Sequence, residues 1–358
     1  MEAVTLNGTS SKADVRTVKV VDDGAYLDLM DRLESVSSVR DDEREDAKRL
    51  RLLRKYQAGL CTPKRLVQAD SSVTRRLNAC IESAPNAKTV LLDIVGQVRL
   101  QELVGRQHLR MPLPVLLLGD PGVGKSMVAR LIPRVLGLEH ESVHLGGLAE
   151  AFAWVGLDLG YVTGKEGLLT QMLARHEVAN WIMVMDELDK GCAPRGDRTP
   201  AYEPLLQLME KSTASAIRDI ALDIDLNLSW LGEVVATANE PELIPPPLRD
   251  RFVIYTIPAP TPDEMDAIVR AIWRDICRDE GWDSVLSIEL DDAVVDRLRR
   301  CTPRQARKAL LQGASRRGVR LSKRPSSGDL VRIESSDLDG GVLGEQSRRR
   351  AIGFHAKF

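Results

Sequence analysis

Aromatic side chains are scarce in this sequence, since Phe, Trp and Tyr together make up 4% of its 358 residues. This scarcity argues against a surface that binds nucleic acid by stacking bases on aromatic rings. The formal net charge is only −2, so the chain has no overall basic field to hold nucleic acid or an anionic membrane. We therefore expect a neutral enzyme surface and regard a nucleic-acid partner as disfavoured.

Long apolar runs and paired cysteines are also missing. No apolar stretch reaches the roughly 18 residues of a membrane-spanning helix, and the N-terminus has no apolar segment of signal-peptide length. The five cysteines are odd in number and scattered, without metal-ligand spacing, so we predict reduced thiols. These absences predict a cytoplasmic protein without a membrane partner.

One short segment carries the strongest functional signal. Residues 119–126 read Gly-Asp-Pro-Gly-Val-Gly-Lys-Ser, between an apolar strand candidate and a helical segment. This is the G-x-x-x-x-G-K-[ST] phosphate-binding loop in its expected context, in which backbone N–H groups point at phosphate oxygens. Lys125 would reach the β- and γ-phosphates, and the Ser126 hydroxyl would ligate Mg²⁺. The pattern therefore predicts ATP and Mg²⁺ as ligands. The predicted nucleotide-binding residues of this segment are Gly119, Asp120, Pro121, Gly122, Val123, Gly124, Lys125, Ser126 and Met127.

Apolar strand candidates alternate with helical segments through the middle of the chain. Such alternation predicts an α/β fold, a parallel sheet with helices on both faces, with ligands at the carboxyl ends of the strands. The predicted strands are Val115–Leu118, Ser142–Leu145, Trp181–Met185, Glu233–Thr237 and Arg251–Tyr255.

The pattern becomes all-helical after Pro260. Thr261 and Glu264 have the spacing of a capping box, and Gly281 is placed to end the helix that they begin. We predict a nucleotide-binding core over residues 86–258, a helical lid over 259–338 and a tail over 339–358.

Residues 1–85 form a region of their own in this division. Its charge-dense segment, 38–59, has Ala47, Leu50, Leu53 and Leu60 near helical spacing. The segment is either a surface helix or an arm that binds a partner, and the sequence does not decide between them.

A second chemical signal follows the strand at 181–185. Asp186 and Glu187 stand at its tip, where Asp186 can hold Mg²⁺ and Glu187 can polarise a water that attacks the γ-phosphorus. An acidic turn after a buried strand is the structural alternative. Asn239, at the end of the next strand, can orient the attacking water or serve only as a turn former.

Taken together, these segments resemble the AAA+ ATPases, a family with a P-loop core and a helical lid. The likeness spans roughly residues 91–336 and is greatest to the ATPase module of Lon-type proteases. The segments that carry it are Asp186-Glu187-Leu188-Asp189-Lys190, Gly196-Asp197, Leu205-Leu206-Gln207-Leu208-Met209-Glu210, Thr237-Ala238-Asn239 and Ile244-Pro245-Pro246-Pro247-Leu248-Arg249-Asp250-Arg251-Phe252.

The resemblance implies further site residues. Asn239 corresponds to the sensor-1 residue, and Arg251 matches the arginine finger that reaches a neighbouring subunit's γ-phosphate, with Arg249 as the alternative. Arg304 matches the sensor-2 arginine of the lid, with Arg307 as its neighbour. In addition, the segment around Val95 resembles the one that packs on adenine.

Two further residues match the family's central-pore loop. Tyr161 and Val162 lie between the second strand and the Asp-Glu strand, where that loop grips a translocating polypeptide by side-chain packing. The alternative is that Tyr161 is a half-buried loop anchor.

The sequence departs from Lon-type proteases in one respect. Those proteins continue into a domain with a Ser–Lys dyad, whereas about twenty residues follow the lid here. We therefore expect no protease active site in this chain and allow a separate protease or effector as partner.

The resemblance implies an ATP-hydrolysing motor that assembles with copies of itself into a ring, expected to be a hexamer, and remodels a protein substrate. Two alternatives remain open. One is a nucleic-acid motor or loader of the same fold, of the clamp-loader or branch-migration type. The other is an ATP-binding switch or scaffold with little turnover.

Overall fold

The computed structural model describes residues 16–36, 45–68, 70, 72–105, 108–148, 150–193, 202–321 and 330–339. Gly196, Asp197 and the tail beyond residue 339 lie outside this part of the chain. The described strands are β1 (Thr17–Val18), β2 (Lys64–Arg65), β3 (Val115–Leu118), β4 (His140–His144), β5 (Ile182–Asp186), β6 (Ile217–Asp219), β7 (Ile224–Leu226), β8 (Glu233–Ala238) and β9 (Val253–Thr256). The described α-helices are α1 (Asp23–Val36), α2 (Glu45–Cys61), α3 (Val73–Ser83), α4 (Lys88–Leu103), α5 (Lys125–Leu136), α6 (Phe152–Val155), α7 (Leu168–Arg175), α8 (Leu188–Cys192), α9 (Glu203–Leu208), α10 (Lys211–Ala214), α11 (Pro246–Arg249), α12 (Pro262–Asp279), α13 (Asp292–Leu298) and α14 (Pro303–Arg320).

Five strands form one parallel sheet in the order β4-β5-β8-β3-β9. The inner strands β5 and β8 contain no exposed residue, because helices cover both faces of the sheet. The predicted parallel α/β fold is confirmed, and the five predicted strands are present with shifts of one or two residues. Strand β9 begins at Val253 rather than Arg251, because Arg251 and Phe252 form the turn that follows α11.

A short antiparallel hairpin lies outside this sheet and has no counterpart among the predicted strands. Strands β6 and β7 pair Ile217 with Leu226 and Asp219 with Ile224. Asp223 closes the turn in the left-handed region, at a φ of 61°, a conformation that aspartate tolerates better than most residues do. Strands of three residues are shorter than apolar alternation can identify, so this hairpin could not be predicted from the sequence.

Apolar cores lie on both faces of the sheet, and the N-terminal helices belong to them. Leu53 of α2 is buried in the same core as Met183 and Met185 of β5, while Leu77 of α3 is buried in the core on the other face. The described part of the charge-dense segment is therefore a packed helix. Buried residues on both sides of residue 85 belong to the same core. The domain boundary placed at residue 85 remains a prediction.

The helices that follow the sheet form a third apolar core, the predicted lid. Thr261 and Thr302 each open a helix with a capping box, through Glu264 and Gln305 respectively. Such boxes satisfy backbone N–H groups that a helix end would leave unpaired. Beyond the end of α12, Gly281 has a φ of 66°, in the left-handed conformation that favours glycine. The two capping boxes fix where α12 begins and where α14 enters the site described next.

Candidate active site

The segment 119–126 forms a tight loop between β3 and α5. Gly119, Gly122 and Gly124 all have positive φ values, of 147°, 90° and 107°, which residues with a Cβ rarely adopt. A Cβ at Gly119 would also lie 2.5 Å from the Ile257 carbonyl oxygen. The loop conformation therefore depends on glycine, and it aims the N-terminus of α5 into the cavity, as phosphate binding requires.

Lys125 ties this loop to the neighbouring strand. Its Nζ donates to the Gly119 carbonyl over 2.7 Å, to the Asp120 carbonyl over 2.9 Å and to Asn239 Oδ1 over 2.7 Å. Burial lowers the pKa of Lys125, because a charged ammonium loses hydration there. These three acceptors use all three N–H groups of the ammonium. A phosphate could replace these acceptors.

Ser126 and Asp186 approach the cavity from two different elements. Ser126 lies in the first turn of α5, and Asp186 ends β5. The Asp186 carboxylate accepts a hydrogen bond from Thr237 Oγ1 over 3.0 Å. Thr237 was missed as a site residue, although it lies in a segment that carried the family resemblance. Its hydroxyl also accepts a hydrogen bond from the Glu187 backbone N–H over 3.2 Å, so it orders both acidic residues.

Glu187 occupies an unusual backbone position. Its φ of 61° and ψ of 52° lie in the left-handed region, which costs a residue with a side chain about 1 kcal/mol or more. The carboxylate lies 2.7 Å from Lys190 Nζ and 3.2 Å from His144 Nε2. A Cβ at Gly146 would come within 3.0 Å of Glu187 Oε2. The surroundings thus fix the direction of the Glu187 carboxylate by charge and by space.

A buried carboxylate, Asp189, holds the end of β8 in place. Asp189 is only 2% exposed, and its Oδ2 accepts the backbone N–H groups of Asn239 and Glu240 over 2.8 and 3.0 Å. These bonds orient Asn239 toward Lys125. Asp189 lies in a segment that carries the family resemblance, but its role could not be predicted, because its partners lie 50 and 51 residues away along the chain.

The lid reaches the phosphate-binding loop through the start of α14. At Gly122 a Cβ would lie 3.3 Å from Thr302 Oγ1 and 3.6 Å from Arg304 Cβ. The positive charge of Arg304 is close enough to lower the pKa of Lys125, a smaller effect than that of burial. Arg304 and Arg307 both line the cavity, so the structure keeps both as candidates for the sensor-2 arginine.

These groups surround one cavity of about 610 Å³ between the sheet and the lid. Its size suits a nucleotide, since small-molecule sites typically measure about 300–1,000 Å³. Basic, acidic and amide side chains converge in it from the loop, three strands and the lid. The lining residues are Pro121, Gly122, Gly124, Lys125, Ser126, Met127, Arg130, Leu131, Arg134, His144, Asp186, Glu187, Thr237, Ala238, Asn239, Ile272, Asp275, Asp279, Pro303, Arg304 and Arg307.

Several predicted site residues do not line this cavity. Val95 is buried within α4, in the core beneath the loop, and Val123 is buried in the same core. Arg251 lies in the turn before β9, where its Nη1 donates to the Pro247 carbonyl over 2.5 Å. Gly119 and Asp120 take part through the carbonyl oxygens that bind Lys125. Arg249, like Arg251, is outside the cavity.

Residues 157–165, here called the Tyr161 loop, lie between α6 and α7. Leu157 and Lys165 pair at its base by two backbone hydrogen bonds of 2.8 and 3.2 Å. At its tip Tyr161 is 64% exposed and Val162 is fully exposed. The half-buried anchor considered for Tyr161 is therefore wrong, because its ring packs on no core in the described part of the chain.

Comparison with known proteins identifies the fold that carries this site. Residues 115–258 match the family described as the ATPase family associated with various cellular activities (AAA). This part of the chain is similar to the AAA ATPase domain. The match begins at β3 and ends two residues after β9, so it covers the whole five-stranded sheet.

Part of the chain is also similar to part of the Lon proteases. Lon protease 2 of Bdellovibrio bacteriovorus is 35% identical over 170 residues, 46% of this chain and 21% of that protein. Lon protease homolog 2, peroxisomal, of Zea mays is 37% identical over 153 residues, 42% of this chain and 17% of that protein. The chain thus spans about a fifth of the length of the curated relatives it matches. The predicted resemblance to a Lon-type ATPase module is confirmed.

Among solved structures, the chain is similar to a mutant of Thermotoga maritima RuvB. The alignment covers 70% of this chain and 67% of the RuvB chain, at 18% identity and a TM-score of 0.43. Separately, no helix of the described residues is long and apolar enough to cross a lipid bilayer. All five cysteines lie in the described part and are free thiols.

The site fits MgATP by the chemistry of its donors. Oxygen ligands suit Mg²⁺, which usually binds one or two protein groups together with substrate phosphates and water. Ser126 and Asp186 offer such a pair, and the described residues hold no cluster of three or more His, Cys, Asp or Glu side chains that would form a complete protein cage. Lys125 and the loop backbone would supply the phosphate partners.

Proposed function

We propose that this chain is the subunit of an ATP-hydrolysing motor that acts on a protein substrate as a ring. The observation that carries the hydrolysis part is the convergence of Lys125, Asp186, Glu187 and Asn239 on one cavity beneath Arg304 of the lid. An ATP-binding scaffold would need the loop but not a positioned carboxylate opposite it. The intact Glu187 geometry therefore favours turnover.

The chemistry follows from the positions of the side chains. Lys125 and the loop N–H groups would bind the β- and γ-phosphates, and Glu187 would accept a proton from the water that attacks the γ-phosphorus. Asn239 would orient this water or the γ-phosphate without adding a repelling charge. Ser126 and Asp186 would hold Mg²⁺, which neutralises phosphate charge when bound.

Assembly would complete the site. Arg251 lies outside its own cavity, which suits a guanidinium that serves the cavity of a neighbouring copy. An arginine supplied in trans neutralises transition-state charge, so hydrolysis would depend on contact between subunits. We propose a homo-oligomeric ring, expected to be a hexamer, on this ground.

The Tyr161 loop supports a protein as the substrate. An exposed aromatic ring beside an exposed valine can pack on any unfolded polypeptide, without reading its sequence. Exposed large apolar side chains in adjacent positions commonly mark a binding surface. Closure of the lid during hydrolysis would then move this loop and the polypeptide it holds.

The hydrolysis claim is tested with Glu187→Gln. We expect ATP binding to be retained and turnover to fall by about 10²- to 10⁴-fold, the usual contribution of a general base. Glu240→Gln is the matched control, because Glu240 follows the end of the neighbouring strand β8 but does not line the cavity. Turnover that is unchanged in Glu187→Gln would remove Glu187 as the base.

The substrate claim is tested by stimulation of ATP turnover. Casein, an unstructured protein, should raise turnover in the wild type and not in Tyr161→Ala. Duplex DNA should have no effect. Stimulation by DNA that falls steeply with salt would instead favour the nucleic-acid motor.

A further inference from the structure

Helix α2 contacts the base of the Tyr161 loop through two adjacent side chains. Tyr56 Oη donates to Glu166 Oε1 over 2.5 Å, and Lys55 Nζ lies 3.0 Å from the same oxygen. Glu166 directly follows Lys165, which closes the loop by pairing with Leu157. The helix thus holds the loop where its two arms meet.

The first turn of α2 lies near the other end of the loop. A Cβ at Gly160, the residue before Tyr161, would lie 3.6 Å from Glu45 Oε2. An α-helix rises 1.5 Å per residue, so the eleven residues from Glu45 to Tyr56 span about 16 Å. The helix therefore runs alongside the loop from its base toward its tip.

The helix is itself firmly held. Leu53 and Leu60 are buried in the core beneath it, and Tyr26 Oη of α1 donates to the Leu53 carbonyl over 2.6 Å. Gly59 packs against α7 so closely that a Cβ there would lie 2.5 Å from the Ala174 carbonyl oxygen. A well-packed helix moves as a unit, so α2 offers the loop a fixed support.

The charge at the loop base favours this contact. Burial raises the pKa of Glu166, but the hydrogen bonds from Tyr56 and Lys55 outweigh burial and hold the pKa below its ordinary value. Glu166 is therefore ionised at neutral pH. Hydrogen bonds to a carboxylate are about twice as strong as those between neutral groups, and the Glu166 side chain is only 12% exposed.

A second anchor joins the same loop base to the hairpin β6–β7. The buried Asp219 accepts the Gly167 N–H over 2.9 Å and the Leu222 N–H over 3.0 Å, and it also accepts the Thr170 hydroxyl. The hairpin turn contacts α2 as well, because Arg49 Nε donates to the Ala221 carbonyl over 3.0 Å. Loop base, hairpin and α2 thus form a closed set of contacts.

We propose that α2 is a strut that positions the Tyr161 loop, and that Tyr56 is the residue through which it acts. A loop that is free at its base would absorb the motion of the domain instead of passing it to a bound polypeptide. Tyr56 and Glu166 touch neither the nucleotide cavity nor the loop tip, so they are positioning residues. The effect on substrate rests on the proposed function, whereas the effect on loop mobility does not.

The test compares Tyr56→Phe with Arg54→Ala in the full chain. Phenylalanine keeps the ring and removes only the donor to Glu166. Arg54 is the matched control, because it is on the same helix but pairs with Glu34 of α1, over 2.7 Å. Amide hydrogen exchange is measured by mass spectrometry over residues 157–167. We expect roughly tenfold faster exchange there in Tyr56→Phe, the order expected for loss of one hydrogen bond to a charged group, and no change in Arg54→Ala.

Turnover supplies the second readout. Basal ATP turnover should be the same in both variants, since neither residue lines the cavity. In Tyr56→Phe the casein concentration that gives half-maximal stimulation should rise several-fold. Glu166→Gln, which keeps an acceptor for Tyr56 but loses the ion pair with Lys55, should show a smaller rise.

The outcomes separate the two claims. Unchanged exchange over 157–167 in Tyr56→Phe would overturn the strut, as would faster exchange spread equally over α2 and α7, which would mean a merely structural role. If casein does not stimulate the wild type, the proposed substrate class fails. The exchange experiment still decides the strut in that case, because it needs no substrate.

Discussion

The nucleotide cavity and the Tyr161 loop are built in opposite ways. At the cavity, Lys125 and Asp189 are buried and bonded to neighbouring groups, Lys125 to Asn239 and Asp189 to the backbone that follows β8. In the loop, the side chains of Tyr161 and Val162 are exposed to solvent, and the contacts that hold the loop are made at its base.

This difference agrees with what each region is proposed to bind. Phosphate and a developing transition-state charge require fixed dipoles and charges at defined positions, in a site that excludes water. Binding a polypeptide of any sequence requires an accessible apolar surface on a loop whose base is rigid. Substitutions in the cavity should therefore change catalysis, and substitutions behind the loop should change coupling.

The largest effect is expected from Arg251, which is proposed to serve a neighbouring cavity. Arg251→Ala should lower ATP turnover by about 10³-fold or more, the range for an arginine finger, while ATP affinity stays close to that of the wild type. Arg249→Ala is the matched variant from the same turn, and its effect should be small. Steady-state turnover and nucleotide binding by fluorescence measure both.

The reverse result, with Arg249→Ala inactive and Arg251→Ala active, would exchange the two assignments. Full turnover in both variants would mean that neither arginine serves a neighbouring cavity. All of the catalytic groups would then belong to one subunit.

Asp189→Asn tests whether the buried carboxylate organises the cavity. The amide can accept fewer backbone N–H groups, and hydrogen bonds to a charged group contribute about 1.5–3 kcal/mol. We expect turnover to fall by roughly tenfold and the thermal midpoint to drop by several degrees. Cys192→Ala changes a buried residue of the same helix that lies outside the cavity, and it should lower stability without this loss of turnover.

Arg304→Gln tests the contribution of the lid. If Arg304 contacts phosphate as proposed, loss of its guanidinium should raise the KM for ATP by about tenfold, since a single hydrogen bond between charged groups is worth on the order of 1.4 kcal/mol or more. Arg307→Gln is the comparison on the same helix. If Arg307→Gln gives the larger increase in KM, the sensor-2 role belongs to Arg307.

The smallest effect is expected at the base of the Tyr161 loop, in how the stability of Glu166→Gln depends on pH. Because the pKa of Glu166 lies below its ordinary value of 4.5, the folded state gains stability from the ionised carboxylate above that value. The gain is lost as the pH falls through the lowered pKa. Wild type should thus unfold at slightly higher temperature than Glu166→Gln at pH 7, and the difference should shrink below pH 4.5. If the difference in unfolding temperature persists below pH 4.5, it arises from packing and not from the charge of Glu166.

Much of the cavity was predictable because its chemistry is local. The glycines of 119–126, the apolar strand before Asp186 and the spacing of Thr261 and Glu264 act within a few residues, so their patterns survive in a single sequence. Strand positions followed from continuous apolar runs for the same reason.

The parts that were missed depend on contacts between distant residues. Thr237 bonds to Asp186 across 51 positions and Asp189 bonds to Asn239 across 50, so neither signal exists until the sheet brings the strand ends together. Val95 is a different case. A local likeness places it near adenine, which stays a prediction, and in the structure its side chain is buried in the core beneath the loop.

The sequence alone determined that this chain has a phosphate-binding loop, an acidic strand end and capped lid helices, because each depends on the backbone and side chains of one short segment. Only the tertiary structure decided what residues 45–61 do. Their charge pattern fits a free surface helix and a partner arm equally well. The folded chain buries their apolar stripe and brings Tyr56 to Glu166, 110 residues away, because the burial of Leu53 and Leu60 fixes which face of α2 meets the loop.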